Sequence, residues 1–432
     1  MMKKIIYSLL FFFLVGNSIA QQTPADKQTT DYSIEGATAH LGNGKIIENA
    51  LVMFSNGKIV FVGNANAKIA RRGTVINAKG KHVYPGFIAT NASIGLVEID
   101  AVKASDDEDE IGANNPHIRS LVAYNAESKV VESMRPNGVL MAQITPRGGT
   151  ISGTSSVVQL DAWNWEDASI KTDDAIHINW PTSFTSGRWW LGEDPALRPD
   201  KEYPKKINDI QSYFANAKTY LASDKNKMHL PYEATKGLFE GSKKLFIHVN
   251  GQKEITDAIT IIKELGIKNI VIVHGDEADK VADLLVKNNI AVVLERPHRN
   301  PENEDDAYDY TYTIAKNLTD KGVVVALGME GQMERMNTRN LPFYAGTFAA
   351  FGLDKEVALQ LLTSNSAKIL GIDDMVGTLE VGKDATLFVS EGDALDMRGN
   401  ILTDAFIQGR KISLETHQTK LWKRYSNKYK TK

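Results

Sequence analysis

The amino-acid sequence predicts an α/β protein in which a barrel of parallel strands is joined to a small β domain. Two observations predict this fold. Strand-like and helix-like segments alternate through the second half of the 432-residue chain, which is typical of βαβ units and a parallel sheet. Short β-rich segments with glycine turns flank that alternation at both ends of the chain. The length suits one barrel with an appended small domain.

The composition is that of an ordinary globular protein with an ample core. Hydrophobic residues make up 42% of the chain and charged residues 24%. The formal net charge of −3 argues against nucleic acid as a partner, and against a membrane as a partner of the mature protein. Cysteine is absent from the sequence, which excludes disulfides and a Cys-ligated metal.

The N-terminus has the pattern of a secretory signal. Met1 to Lys4 supplies a positive start, Ile5 to Val15 is apolar, and Ser18-Ile19-Ala20 offers a small-residue cleavage site. We therefore predict a signal peptide over residues 1–20, followed by a polar, disordered lead over residues 21–31. The mature protein is expected to be exported and periplasmic or secreted, with an uncleaved anchor as the alternative.

Strands separated by glycine turns are predicted over Tyr32 to Asn77 and again over Gly377 to Val389. We predict that the two regions build one composite β domain. Its N-terminal part covers residues 32–84 and its C-terminal part covers residues 377–415. The lysine-rich residues 416–432 that follow are interpreted as a solvated basic tail.

The barrel is expected over residues 85–376, with an aromatic-rich insertion near residues 161–230. That insertion contains five of the six tryptophans, so it is too aromatic to be disordered and too long for a plain connection. We predict that it folds over the mouth of the barrel. Its tryptophans either bind substrate or pack the insertion itself.

After the insertion the alternation becomes regular. Ile255 to Leu265 has apolar residues at helical spacing and is followed by Gly266, a good helix stop. The same patterns predict three more helices (278–287, 312–321 and 355–362) and three strands (268–274, 291–294 and 323–327).

Three polar residues follow β-branched runs, where barrel strands deliver functional side chains. His248 follows Phe246-Ile247, His274 ends the run from Ile270 to Val273, and Glu330 follows Val323 to Leu327. Two imidazoles and a carboxylate can hold a zinc ion. The sequence therefore predicts a shared metal site at these three residues, and a polar barrel mouth without metal is the alternative.

A turn before the first barrel strand carries a family resemblance. Residues 81–88 read KHVYPGFI, and Gly377 to Val389 reads GTLEVGKDATLFV. In this order, and with the two His-terminated strands, the motifs resemble the amidohydrolase superfamily, in particular its imidazolonepropionase-like branch. The resemblance covers nearly all of the mature chain. It implies a TIM-like (β/α)8 barrel with a small β domain built from both chain ends, and a metal-dependent hydrolase.

The first-strand metal motif is degenerate. In the family, that turn leads to an Asp and a His-x-His pair that hold the metal, whereas here these positions are Ala89, Asn91 and Ser93. The resemblance matches His248 and His274 to the two later His ligands. It matches Glu330, one methylene longer, to the catalytic Asp. Asn91 and Ser93 offer only neutral oxygens at the former ligand positions, so restoring both His residues is expected to raise metal retention.

Two further residues are candidates for substrate binding. Arg147 opens a run rich in glycine and hydroxyl residues that could cradle a substrate carboxylate or phosphate, and a tight turn is the alternative. His298 follows the strand that ends at Leu294, so it faces the same mouth. There it could replace a missing ligand or shuttle a proton, and a surface-loop histidine is the alternative.

The resemblance implies an exported hydrolase that attacks a C–N bond through a metal-activated water, with Glu330 as the catalytic residue. The expected substrate is a small molecule with an amide, a cyclic amide or a small peptide bond. The expected enzyme class is that of hydrolases acting on carbon–nitrogen bonds other than ordinary peptide bonds. The expected cofactor is a divalent metal, zinc first. The alternative is a pseudoenzyme without metal that binds a small ligand or a partner protein. A homo-oligomer, or a hetero-oligomer with a related amidohydrolase, is compatible with either.

Overall fold

The computed structural model describes residues 23–223, 227–301, 305–330 and 334–430. The predicted signal peptide lies outside these ranges. Among the residues described, no helix is both long enough and apolar enough to span a membrane.

Strands from both ends of the chain form one sheet. They are β1 (Tyr32–His40), β2 (Ile46–Ser55), β3 (Lys58–Asn64), β4 (Thr74–Asn77), β5 (His82–Pro85), β16 (Leu387–Ser390), β17 (Leu402–Ile407) and β18 (Arg410–Lys411). The order is β18-β17-β16-β5-β1-β2-β3, with β4 paired to β1. The two ends meet where β16 runs antiparallel to β5, with Leu387 opposite Pro85. The predicted small β domain from both chain ends is confirmed.

Local sequence explains how this sheet turns and packs. Asn56 and Gly57 link β2 to β3 with φ values of 50° and 79°, the left-handed conformation that a tight hairpin turn needs and that Asn-Gly favours. Inside the sheet, fully buried side chains such as Ile34, Phe54 and Phe406 form a core separate from that of the barrel.

The second large sheet is the barrel. Its strands are β6 (Phe87–Ala92), β7 (Val139–Ile144), β8 (Ile151–Gln159), β9 (Ser169–Asn179), β12 (Lys244–Val249), β13 (Ile270–His274), β14 (Ala291–Leu294) and β15 (Val325–Leu327). They are hydrogen-bonded in that order, and a bridge between Thr90 and Gly328 brings β15 back to β6. The predicted TIM-like barrel is confirmed.

One strand departs from the expected parallel arrangement. β8 runs antiparallel to both β7 and β9, whereas the other neighbouring pairs are parallel. The cause is the short connection of residues 145–150, because a parallel crossover needs a dozen or more residues. Gly148 and Gly149, with φ values of 76° and 61°, make the reversal. The expectation of parallel strands throughout was therefore wrong at β8.

The helices lie outside the barrel strands, and the last of them has no buried residue. They are α1 (Ser120–Ala123), α2 (Lys129–Glu132), α3 (Trp165–Ala168), α4 (Tyr203–Ala222), α5 (Leu230–Ala234), α6 (Lys236–Glu240), α7 (Gln252–Glu264), α8 (Ala282–Lys287), α9 (Tyr310–Asp320), α10 (Glu334–Asn337), α11 (Leu341–Ala350), α12 (Lys355–Gln360), α13 (Ser364–Leu370) and α14 (His417–Lys430). In α7, the buried positions Ile255, Ala258, Ile259 and Ile262 form one stripe, as their helical spacing predicts.

Two segments differ from expectation. β9 lies within the stretch near 161–230 that was predicted to be an insertion, yet it is a barrel strand with Ile176 and Ile178 fully buried. The excursion proper follows it and includes the short pair β10 (Phe184–Thr185) and β11 (Arg198–Pro199). Residues 23–31, expected to be disordered, are instead held by hydrogen bonds, for example from the Ala25 amide to Asp161.

Candidate active site

His248, His274 and Glu330 meet at the mouth of the barrel. One ligand atom from each lies within 4.8 Å of the others, and we refer to them as the three-ligand group. His248 Nδ1 lies 3.1 Å and His274 Nε2 lies 3.0 Å from Glu330 Oε2. Both imidazoles are buried, and the side chain of Glu330 is 23% exposed. The predicted convergence of these residues is thus present in the structure.

The strand ends account for this meeting. β12 and β13 are parallel neighbours, with Val249 opposite His274, so both imidazoles emerge at the same rim. His274 and Gly275 have φ values of 73° and 63°, which turn the chain sharply at the end of β13. A histidine with left-handed backbone angles at the end of a strand is strained, and such strain is typical of residues at functional sites.

Each imidazole is also held on its far side. His274 Nδ1 forms an ion pair with Glu295, which follows β14. His248 Nε2 lies 3.0 Å from Nδ1 of His177, and His177 Nε2 lies 2.9 Å from the Ser155 hydroxyl. A partner on the distal nitrogen fixes the tautomer and the orientation of a metal-binding histidine. Sequence reasoning missed Glu295 and His177 in these roles.

The electrostatic environment separates the histidines. Burial lowers the pKa of His248, and burial together with the nearby His248 lowers the pKa of His177 well below its usual value. His274 is buried too, but its contacts with Glu330 and Glu295 outweigh burial and raise its pKa to about 10. Without an ion, His274 is therefore an imidazolium between two carboxylates, and binding a metal there must release its proton.

The residues of the three-ligand group fit a divalent metal. Two imidazole nitrogens and one carboxylate oxygen form a known zinc ligand set, and the outer partners of both histidines follow the second-shell pattern of metal sites. Burial raises the pKa of Glu330, yet the charges of Arg147, His248 and His274 outweigh it and hold that pKa well below its usual range. The carboxylate is thus ionised, as a ligand must be.

The two former ligand positions, one in β6 and one directly after it, belong to another hydrogen-bond network. The Asn91 amide nitrogen Nδ2 donates to Glu330 Oε2 at 2.9 Å, and the Ser93 hydroxyl donates to Glu334. Arg147 joins the two: its guanidinium donates to Asn91 Oδ1 at 2.9 Å and to Glu334 Oε1 at 3.1 Å. We refer to Asn91, Ser93, Arg147 and Glu334 as the first-strand cluster.

The first-strand cluster places a fixed positive charge beside the three-ligand group. The side chain of Arg147 is 13% exposed and that of Glu334 is 4% exposed, so the ion pair lies inside the protein. The guanidinium also donates to the backbone carbonyls of Asn91 and Met329. All these contacts are with protein groups, whereas the sequence suggested that Arg147 binds substrate. Glu334 was not anticipated at all.

His298 lies in a different environment from the three-ligand group. Its Nε2 is 3.0 Å from the Thr347 hydroxyl, and its ring packs against Tyr312 and Tyr344. Burial lowers its pKa. A neutral histidine among aromatic rings on the outer helices α9 and α11 matches the surface-loop alternative more closely than a ligand that completes the metal site.

Comparison with known proteins agrees with this fold. Residues 227–417 match the amidohydrolase family. The structure is similar to that of an amidohydrolase from Thermotoga maritima MSB8, with a TM-score of 0.74 and 24% identity over 88% of this chain and 99% of that chain. No curated protein matches the sequence.

Two other solved structures share the fold at lower similarity. A prolidase complexed with N-methylphosphonate-L-proline has a TM-score of 0.54 and 14% identity over 89% of this chain and 100% of that chain. An adenosine deaminase from Xanthomonas campestris with bound zinc has a TM-score of 0.53 and 15% identity over 95% of this chain and 100% of that chain. The family match over residues 227–417 and the shared fold make this chain similar to members of the amidohydrolase superfamily. Its place in the imidazolonepropionase-like branch stays a prediction.

Proposed function

We propose that this protein is a metal-dependent hydrolase that cleaves a C–N bond in a small substrate, with a single ion at the three-ligand group. The observation that carries the proposal is the approach of one ligand atom from each of His248, His274 and Glu330 to within 4.8 Å. The family match supports hydrolysis, and a prolidase and an adenosine deaminase among the proteins of like fold support C–N bonds.

When bound at these residues, a divalent ion would lower the pKa of a water molecule and polarise a carbonyl group. Residues of the protein orient the ligands and accept the proton. Glu295 and the pair of His177 and Ser155 hold the imidazoles in place. Glu330, ionised and partly exposed, faces the open side of the site and accepts the proton.

The charges around Glu330 also limit its strength as a base. Arg147 and the histidines hold the pKa of its carboxyl well below the usual range, and a weaker base takes a proton less readily. We therefore expect slower turnover than in a site whose carboxylate lies farther from fixed cations. The small substrate enters from the Glu330 side, because the two imidazoles are more buried than this carboxylate.

The direct trial is a panel of acyl-dipeptides, hydantoin-like rings and lactones, assayed with added zinc or manganese. Glu330→Gln keeps the shape of the side chain but removes its basicity, so it should abolish turnover while substrate still binds. Glu166→Gln, an exposed change in α3, is the matched control and should leave turnover unchanged.

One observation favours a second candidate, a pseudoenzyme that binds a small ligand or a partner protein. The first-strand cluster fills the region of the former His pair with an ion pair rather than with metal ligands. If no substrate in the panel turns over, and ligand binding is unaffected by loss of both His248 and His274, this second function replaces the first. A related amidohydrolase as partner subunit would then be the first candidate ligand to test.

Export is part of the proposal and rests on the sequence of residues 1–20. We expect cleavage after Ala20 and recovery of the mature protein from the periplasmic or secreted fraction. Sequencing of the N-terminus of the purified protein tests this, and an intact Met1 on the exported protein would contradict it.

A further inference from the structure

The helix α14 carries an exposed aromatic face that the proposed function does not use. Trp422, Tyr425 and Tyr429 are 66%, 50% and 66% exposed, and we refer to them as the aromatic stripe. Their spacing of three and four residues places them on one side of the helix. No residue of 417–430 is fully buried, and only Thr419, Leu421 and Ser426 are partly buried.

The opposite side of α14 is strongly cationic. Within His417–Lys430 the sequence has no acidic residue, and it has five cations: Lys420, Lys423, Arg424, Lys428 and Lys430. Glu415, just before the helix, pairs with Lys423 at 3.0 Å and with Lys420 at 3.7 Å. The helix therefore concentrates positive charge in a chain whose net charge is −3. A charge averaged over the whole chain conceals this patch.

The start of α14 is fixed to the protein. Thr416 is buried, and the His417 amide donates to the Glu132 carboxylate at 2.6 Å. Beyond this attachment, a helix of about this length is only marginally stable in water without a surface to pack against. The exposed aromatic stripe of this anchored, amphipathic helix therefore offers a surface that a partner can cover.

We propose that α14 binds an anionic lipid surface. A cationic face opposite an aromatic and apolar face is the pattern of helices that lie in the plane of a membrane interface. Tyrosine and tryptophan suit this position because their rings are apolar and their polar atoms reach the headgroups. Self-association through the aromatic stripe would leave the five cations on the opposite side without an anionic partner, whereas an anionic lipid surface accommodates both faces of the helix.

Co-sedimentation of the full protein with lipid vesicles tests this proposal. We expect binding to vesicles that contain phosphatidylglycerol, weaker binding as salt is raised, and little binding to pure phosphatidylcholine. Lys423→Gln/Lys428→Gln/Lys430→Gln should weaken binding roughly 100-fold, since each charge contributes about fivefold. The matched control, Lys27→Gln/Lys45→Gln/Lys68→Gln, removes three exposed cations elsewhere and should bind like the wild type.

The aromatic stripe is tested separately. Trp422→Ser/Tyr425→Ser/Tyr429→Ser keeps all cations and should still weaken binding at least ~10-fold, because apolar area is lost from the interface. These variants should keep the thermal stability of the wild type, since the helix has no buried side chain. No binding to anionic vesicles, or equal loss in the lysine control, would overturn the proposal. A wild-type dimer that the aromatic variant converts to monomer, without vesicle binding, would assign the helix to self-association instead.

Discussion

Restoring histidine at both former ligand positions, Asn91→His/Ser93→His, is a change for which the sequence and the structure predict different effects on metal retention. From the sequence alone, two added imidazoles should raise metal retention. In the structure, the guanidinium of Arg147 donates to Asn91 Oδ1 at 2.9 Å and to Glu334 Oε1 at 3.1 Å. A second ion at the new ligands would therefore lie beside a fixed positive charge. We expect the double variant to retain no more metal than the wild type.

The magnitude follows from Coulomb's law. A divalent ion about 5 Å from a guanidinium, at an effective dielectric constant of about 20, is repelled by about 7 kcal/mol. Glu334 offsets part of this repulsion because it is paired with Arg147. Even a residual of about 3 kcal/mol would weaken binding roughly 100-fold. The new histidines must also displace the hydrogen bonds that Asn91 and Ser93 donate to Glu330 and Glu334.

The assay is metal content per chain after dialysis, measured for matched variants. Arg147→Met/Glu334→Gln removes both charges and is the control for folding. When it is combined with Asn91→His/Ser93→His, metal retention should rise at least ~10-fold above that of Asn91→His/Ser93→His alone. The reasoning would be refuted if Asn91→His/Ser93→His alone raised metal retention while Arg147 was still present. It would also be refuted if removing the Arg147–Glu334 ion pair left the metal retention of the histidine variant unchanged.

Two further predictions test the surroundings of the site, and a third tests a partly buried lysine at the start of β12. Glu295→Gln should weaken metal binding about 10- to 100-fold, because it removes the ion pair that orients His274, and titration with zinc measures this. Arg147→Met should lower the free energy of unfolding by about 3–5 kcal/mol, because it leaves the Glu334 carboxylate buried without its partner. Adding Glu334→Gln should restore part of that loss, as chemical denaturation will show. Burial lowers the pKa of Lys244 to about 8. Between pH 8 and 10.5 only the unfolded state keeps this lysine protonated, so the free energy of unfolding of the wild type should rise by roughly 2 kcal/mol relative to that of Lys244→Met as the pH rises through this range. Equal pH slopes for the two proteins would contradict this.

The strand ends could be predicted from sequence because their signals are local. His248 lies near the end of the buried, apolar strand β12 and His274 ends the buried, β-branched strand β13, and such strands place the side chains at their ends at the rim of the barrel. The composite β domain was likewise predicted from the strand and turn signals of its own segments. For these elements, the periodicity of the apolar residues and the residue types in the turns are sufficient to predict the structure.

The surroundings of the site could not be predicted, because they depend on contacts between distant residues. Arg147 and Glu334 are 187 positions apart, and His177 and His248 are 71 apart. Nothing in the sequence around either residue of such a pair indicates its partner. Glu295 is different: because it directly follows β14, the sequence predicts that it faces the same mouth as His274, although the sequence does not indicate that the two residues pair.

We propose that the three-ligand group holds one ion. The most direct measurement is the zinc content of the purified protein after removal of metal and readdition of zinc, compared with His248→Ala/His274→Ala. We expect one zinc per chain in the wild type and none in the double variant, with both proteins folded by circular dichroism. A wild type that takes up no zinc, or a double variant that takes up as much, would contradict it.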